Sequence, residues 1–527
     1  MKDALVQLQK GYNALDSAYD DAMKRIELQL DGWRKLARKV LLWITHATRE
    51  LLIAELQEAV AIELGRKDLN IHEYLDDEDQ IVSVCHGLVE VDQESRVVRL
   101  VHYTTQEYFG RERDRWLPDG NMEITRYCLD YLSMDVFAHD QCKWYMDFWP
   151  MMKQHKFLEY AGKNWGLHAR AVHNEELEVD ITQFLSNADH LRFASQICLG
   201  GLKYHKGLEE YNCFYWNLSA MHVSTFLGLH HTVQNLIRRG EDVNDKDGHE
   251  QTPLFWAAEC GHIEIVQLLL TQPDVEINGT SRNGGSALSA AGCEGHIEIV
   301  RLLLAQSNIE VNTKDRYGRT AIWLAAETGR TKTMQLLLAR PDIDINTKDE
   351  KGRPPLFVAI SKSRTDIVRL LLARPELVID MKGTWLHTPL SLAMAYDSRN
   401  TEITLLLLNH PNIEVNTKDR RNGTPLSWAA ESGHTEVVQQ LLARPHIEVN
   451  TKDDEGRTPL FKATLHGYIE TVRLLLAHPE IEVNTPNGNG QTPLSLAIEN
   501  GYTEIIQLLR TRMDLDAATN SLHSMAA

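Results

Sequence analysis

One short text recurs down this chain. "NTKDRYGRTAIWLAAETGR" begins at Asn312, "NTKDEKGRPPLFVAI" at Asn346 and "NTKDDEGRTPLFKAT" at Asn450. Aligned on the residue before Pro-Leu or its equivalent, the copies are anchored at Thr252, Ser286, Thr320, Pro354, Thr388, Thr424, Thr458 and Thr492. The spacing is 34 residues throughout, except for 36 between Thr388 and Thr424. A weaker copy, "SAMHVSTFLGLHHTV", is anchored at Ser219, 33 residues before Thr252. A constant period of this size predicts a stack of small units. No single unit can bury its own apolar face, so neighbours must bury it for one another.

Each unit reads the same way. An Asn-rich turn comes first. Thr-Pro-Leu then starts a helix, with Thr as N-cap and Pro at the first helical position. A short Ala-rich helix such as "LFWAAEC" follows, closed by Gly261, Gly295, Gly329, Gly433, Gly467 or Gly501. Glycine there suits a left-handed C-cap. A second helix such as "HIEIVQLLL" carries the bulky apolar face. With these features in place, the segment from Ser219 to Met513 resembles the ankyrin repeat. The family pattern T-P-L-H-x-A is matched by "TPLFWA", "TPLSWA", "TPLFKA" and "TPLSLA", and the first copy keeps the His slot at His222. The units are one residue longer than is usual in the family, in segments such as "ARPDIDIN". There Pro341, Pro411, Pro445 or Pro479 replaces Gly-Ala.

The pattern weakens in one place. Ser363 and Asp397 fill the Gly slots of two units, "AYDSRNTEI" carries two extra residues, and Asp380 replaces the Asn seen at Asn346 and Asn416. A looser joint is expected near residues 380–402. Because Ser363 already carries a side chain, Val is expected to cost less there than at Gly433.

Residues 1–218 do not repeat. "YDDAMKRIELQL", "WRKLARKVLLWITHA" and "IAELQEAVAIE" have helical apolar spacing. The runs "LVEVD" and "RVVRLVH" alternate around "QES", which signals a hairpin. "YTTQEYFGRER" and "MEITRYCLDYLSM" return to helix. Three helices and then a hairpin is the order of a winged helix. "LVHYTTQEYF" is similar to a segment late in the winged helix of NACHT-type signal-transducing NTPases. "VLLWITHATRELLIAELQEAVAIE" and "YAGKNWGLHAR" are similar to stretches of NACHT–ankyrin proteins. The same winged helix is also known as the GPI inositol-deacylase type; the resemblance implies that fold and not that activity. A NACHT module would need a G-x-x-x-x-G-K-[ST] loop to cradle phosphates, and the 527 residues hold none. The chain therefore reads as the part downstream of an NTPase core, whether a fragment, a truncated gene product or a protein without that engine.

The expected fold is mainly α: a winged-helix and helical N-terminal region, then an ankyrin-repeat α-solenoid with β-hairpin turns. The expected parts are 1–115, a helical segment and winged helix; 116–218, a helical linker; 219–515, about nine repeats with the first degenerate; and 516–527, a tail.

Several chemistries lack their motifs. G-x-S-x-G and H-E-x-x-H are absent, and "VNDKDG" near Asn244 fails as a calcium loop because Val243 and Leu254 stand at its first and last ligand positions. The carboxylates of "DDED", Asp76 to Asp79, read as a solvated helix start. Seven cysteines without a C-x-x-C pair suit reduced thiols and a cytoplasmic or other intracellular setting. The N-x-[ST] matches at Asn217, Asn278 and Asn422 then carry no glycan. The balance of 55 Lys+Arg against 74 Asp+Glu gives a formal net charge of −19, which disfavours nucleic acid and anionic membrane as partners. No membrane span, cofactor or catalytic residue is expected, so the chain is read as a non-enzyme.

His102 resembles the winged-helix His that touches a nucleotide phosphate in NACHT proteins; its plainer reading is a residue anchoring the hairpin's end. Trp144, Trp149 and Trp165 read as core of the connector. The ankyrin resemblance implies a protein partner on the concave face of turn tips and inner helices. The nominated contacts are Arg316, Tyr317, Arg319, Glu350, Lys351, Arg353, Trp385, Tyr396, Arg420, Arg421, Asp454, Glu455 and Arg457. The overall reading is a protein-interaction scaffold, the winged-helix and ankyrin part of a NACHT–ankyrin receptor. Its rival is a regulatory piece that still binds nucleotide or works with an NTPase chain in trans.

Overall fold

The protein is represented by a computed structural model that describes residues 2–66, 78–137, 145–200, 217–383, 388–395 and 401–526. It divides into two compact units, Met1–Arg282 and Asn283–Ala527. The division falls inside the repeats and not at residue 219.

The first unit begins with α1 (Lys2–Glu27), α2 (Asp31–His46), β1 (Leu51–Leu52) and α3 (Ile53–Ala61). After α4 (Glu78–Ser83) come β2 (Val89–Val91), β3 (Val97–Leu100), α5 (Tyr103–Trp116) and α6 (Gly120–Leu132). The hairpin read from alternation is there, with Val89 opposite Leu100 and Val91 opposite Val98. A third strand joins it: β1 pairs antiparallel with β3, Leu51 opposite Val98, giving the order β1-β3-β2. Two residues are too few to show an alternation, so this strand left no trace in the sequence pattern.

The connector is α7 (Tyr145–Gln154), α8 (Leu158–Arg170), α9 (Glu175–Ser186) and α10 (Ala188–Gly200). It shares one core with the winged helix: Trp43, Leu56, Tyr131, Phe157, Tyr160, Trp165 and Ile181 are buried in a single cluster. Trp165 packs edge-on to Phe184 at 5.8 Å. The side chains of Trp144 and Trp149 lie outside the described residues. Polar ties cross the same core. Glu58, 4% exposed, accepts from the backbone N–H of Lys156 (2.7 Å) and Phe157 (3.0 Å) and from the Tyr131 hydroxyl (2.8 Å). His168, also buried, contacts Asn121 Oδ1 through Nδ1 at 2.8 Å and the Tyr160 hydroxyl through Nε2 at 2.9 Å. Burial, with the nearby His46 adding to it, pushes the His168 ring down to about 4.

A pH effect follows. The folded ring titrates below its ordinary value of about 6.5, so the unfolded chain takes up the proton first. This stability is present above pH ~6.5 and is lost as pH falls toward 4. Between pH 7 and 5 the first unit should lose about 2 kcal/mol from this group. His168→Gln, which keeps both hydrogen-bonding partners without titrating, should flatten the slope when denaturant midpoints are compared at the two pH values.

The repeats form helix pairs of constant design. Inner helices run over Ala220–Leu227, Pro253–Cys260, Ala287–Glu294, Ala321–Thr328, Pro355–Ser361, Pro389–Ala395, Pro425–Ser432, Pro459–Leu465 and Pro493–Glu499. Thr252, Thr320, Thr424, Thr458 and Thr492 accept at their N-caps from the N–H three residues on. Gly261, Gly295, Gly329 and Gly433 are left-handed C-caps, with φ between 70° and 87°. The degenerate first copy is covered by the connector: Thr232 donates to buried Glu178 at 2.7 Å, and Gly166 leaves room for Leu227. With a neighbour on that side, the unit holds without a Thr-Pro-Leu start.

Within the second unit each repeat is stapled to the next by its Asn. Asn312 Nδ2 donates to Asp342 O at 2.7 Å while its Oδ1 accepts from Asp344 N at 2.8 Å. Asn346, Asn416 and Asn450 do the same one repeat further on. Asp380 makes half a staple. Its Oδ2 accepts from Glu414 N at 3.1 Å, but it has no N–H to give, and its Oδ1 is buried without a partner. Burial raises its carboxyl above the ordinary range.

Asp380→Asn should therefore stabilise the second unit by about 1–3 kcal/mol by restoring the donor and removing an orphaned oxygen. A raised carboxyl contributes stability that is present at low pH and lost as pH rises through the folded value. The gain should thus be larger at pH 7 than at pH 4 in denaturant titrations. Residues 384–387 and 396–400, part of the expected loose joint, lie outside the described residues.

Candidate functional site

Six of the turns before inner helices are built around one side chain, an Asp in five and an Asn in the sixth. Asp315 Oδ1 accepts from Tyr317 N (2.9 Å) and Arg319 N (2.8 Å). Asp349 does so from Lys351 N and Arg353 N, Asp419 from Arg421 N and Gly423 N, and Asp453 from Glu455 N and Arg457 N. Asp247 holds the N–H of His249 and Gln251, and Asn487 those of Asn489 and Gln491.

The second oxygen is satisfied in either of two ways. Where the residue before the anchor is Arg, its Nε donates: Arg319 to Asp315 (2.7 Å), Arg353 to Asp349 (2.8 Å), Arg457 to Asp453 (3.0 Å). Where it is Gln251 or Gly423, an indole four residues past the anchor donates instead: Trp256 to Asp247 (3.1 Å) and Trp428 to Asp419 (2.8 Å). In the Asp453 turn, Lys462 adds a third tie at 3.2 Å and also reaches Glu431 at 2.8 Å.

This geometry sorts the nominated contacts. Arg319, Arg353 and Arg457 are half-buried and hold their own turns together. They belong to the scaffold, and their recurrence just before the anchor was the available signal. Arg316, Tyr317, Glu350, Lys351, Arg420, Arg421, Asp454 and Glu455 are exposed on the tips. Trp385 and Tyr396 lie outside the described residues. A row of exposed lysines, Lys314, Lys348, Lys382, Lys418 and Lys452, recurs beside the tips; in the sequence all but Lys382 look like part of the constant "NTKD" text.

His102 is the N-cap of α5. Its Nδ1 accepts from Thr104 N at 3.3 Å and contacts Thr104 Oγ1 at 2.8 Å, and that hydroxyl reaches Tyr19 at 2.6 Å. Beside it opens a cavity of about 700 Å³ lined also by Arg49, Arg99, Tyr103 and Arg113. All three of these arginines are already paired, Arg49 with Glu55 at 2.6 Å, Arg99 with Glu90 at 3.0 Å and Arg113 with Asp114 at 3.7 Å. On the hairpin, Arg96 pairs with Glu78 at the start of α4. Among the described residues no cluster of His, Cys, Asp or Glu has metal-binding geometry, and no helix is long and apolar enough to cross a membrane.

Comparison with known proteins agrees with both halves of this architecture. Residues 220–315, 308–382, 376–453 and 426–520 match the family described as "Ankyrin repeats (3 copies)". Together these segments cover more than half of the chain, and the protein belongs to the ankyrin-repeat family. Residues 24–117 match "GPI inositol-deacylase, winged helix domain". "Azaphilone pigments biosynthesis cluster protein L" of Monascus ruber is 27% identical over 303 residues, 50% of this chain and 61% of that protein. Human "Rabankyrin-5" is 35% identical over 71 residues, 14% of this chain and 6% of its own length. "Probable E3 ubiquitin-protein ligase XBOS32" of Oryza sativa subsp. japonica is 34% identical over 91 residues, 17% and 18% of the two chains. The chain thus spans less than two thirds of the length of these curated relatives.

Proposed function

We propose that this chain is a non-enzymatic, intracellular protein-interaction scaffold whose turn tips and inner-helix ends engage a protein partner. One observation supports this above the others. Six turns are held by a buried or half-buried Asp or Asn and its inward ties, and at the tips from Arg316 to Glu455 the residues beyond those ties change from turn to turn while staying exposed. Packing does not require that variation, and a partner-reading surface does. The winged helix and connector would serve as the signalling platform of a NACHT–ankyrin type receptor. Nucleic acid is not the partner in this reading, because the arginines of the hairpin are taken up by Glu78, Glu90 and Asp92.

Lysine-reactive cross-linking of the whole chain to its captured partner tests the reading. Links should concentrate on Lys314, Lys348 and Lys351. Links confined to Lys332, on the outer helix Thr331–Leu338 of its repeat, would overturn it.

The cavity beside His102 favours a second reading, a residual nucleotide site. Micromolar binding requires about 8 kcal/mol, whereas one His contributes on the order of 1–3 kcal/mol. Calorimetric titration with Mg-ATP and with ADP should therefore give no binding at micromolar protein. Stoichiometric binding that disappears in His102→Ala would replace the scaffold reading with this one.

A further inference from the structure

We infer that the tip row centred on the turns at 314–319 and 348–353 takes an extended, acidic peptide segment. This rests on the reading of the turn tips as the partner face and adds the partner's chemistry.

The two turns hold six cations, Lys314, Arg316, Arg319, Lys348, Lys351 and Arg353, against three carboxyls, Asp315, Asp349 and Glu350. That is a local excess of three positive charges on a chain whose formal net charge is −19. The distribution of these charges matters more than the count. Asp315 and Asp349 face inward, occupied by two backbone N–H groups and an Arg Nε each. What points to solvent is Lys314, Arg316, Lys348 and Lys351, with Glu350 the one exposed carboxyl among them. The next complete turn continues the excess, with Lys418, Arg420 and Arg421 around inward-facing Asp419. The row ends at the turn after it, where exposed Asp454 and Glu455 reverse the sign.

An aromatic anchor sits in the same place. Tyr317, 41% exposed, lies between two guanidinium groups, 4.6 Å from Arg316 and 4.8 Å from Arg319. Stacking on the ring holds the guanidinium planes in place, so less side-chain entropy is lost when a carboxylate binds. An exposed aromatic flanked by arginines is also the composition that dominates interface energetics. The cations recur once per repeat along one edge. They therefore form a line, which suits an extended chain carrying carboxylates at intervals. At physiological salt the screening length is about 8 Å, so a bound segment senses the charges of this row more than charges further off.

The test uses the full chain and three labelled probes in fluorescence anisotropy: a twelve-residue Glu-rich peptide, a Lys-rich peptide of the same length, and a single-stranded DNA oligonucleotide of matching charge. The Glu-rich peptide should bind, weaken as salt rises from 0.1 to 0.5 M, and lose at least tenfold in affinity with Arg316→Glu/Lys351→Glu. Lys332→Glu, on an outer helix, should leave it unchanged. Absence of binding by the Glu-rich peptide, insensitivity to the double variant, or equally tight DNA binding would each overturn the proposal. Peptides selected by display on the full chain separate the two levels. If they are not acidic yet lose binding to Tyr317→Ala, the tips are still the partner face and only the acidic class falls. If none depends on tip residues, both fall.

Discussion

Glu58→Ala should destabilise the first unit by about 3–5 kcal/mol, among the largest losses expected from a single side chain in this protein. Glu58 serves three donors at once, the N–H groups of Lys156 and Phe157 just before α8 and the hydroxyl of fully buried Tyr131. Alanine leaves the Phe157 amide and the Tyr131 hydroxyl in an apolar core without an acceptor; each such orphan costs about 1–3 kcal/mol. Water can reach the Lys156 amide, because Lys156 is exposed. Glu58→Gln keeps one oxygen but turns an amide NH₂ toward donors, so its loss should lie in between. Hydrogen exchange read peptide by peptide should show α3, α6 and α8 losing protection together. The repeats from Thr320 onward should be unchanged. Loss confined to α3 would mean that the winged helix and the connector do not share one cooperative core.

Gly433→Val should cost the second unit roughly 3–5 kcal/mol. Gly433 closes an inner helix at φ 70°, ψ 24°. A side chain in that left-handed region costs about 1–2 kcal/mol, and β-branching adds to it. Space is the second part of the cost. A Cβ at Gly433 would stand 2.8 Å from the Tyr468 ring of the next repeat, so the ring must move; overpacking of this kind costs about 1–3 kcal/mol.

Ser363 does not behave as its side chain suggested. It occupies the same left-handed region at φ 53°, so Val is strained there too, and the expected difference from Gly433 narrows to the displaced ring. Ser363→Gly should stabilise by about 1 kcal/mol. Equal denaturant midpoints for Gly433→Val and the wild-type chain would rule out the strained cap.

Much of this was legible in the sequence because a repeat states its rules many times. The anchors, the Thr N-caps and the Gly C-caps each recur in fixed register, and the structure places them accordingly. The helices around the hairpin followed from apolar spacing. What stayed hidden was long-range. β1 is two residues long and exists only through its pairing with β3. Nothing local marks Glu58 as the partner of groups near residue 157, about a hundred positions away.

The site was half legible. Variation pointed to the tips, but Arg319, Arg353 and Arg457 were grouped with them although they recur before the anchor and serve the turn aspartates. The exchange between Arg before the anchor and Trp four residues after it was present in the text. It becomes readable only once both are seen to serve the same carboxyl oxygen.

Partner capture by the full-length chain, compared with its Arg316→Ala/Tyr317→Ala/Arg421→Ala variant, tests the central claim most directly. All three side chains are exposed on the tips and outside the inward ties, so the variant should keep its helix content and unfolding midpoint. Proteins held by the wild-type chain should be absent from the variant and retained by a Lys332→Ala control. The same proteins captured by all three chains would show that the tips do not carry the interaction.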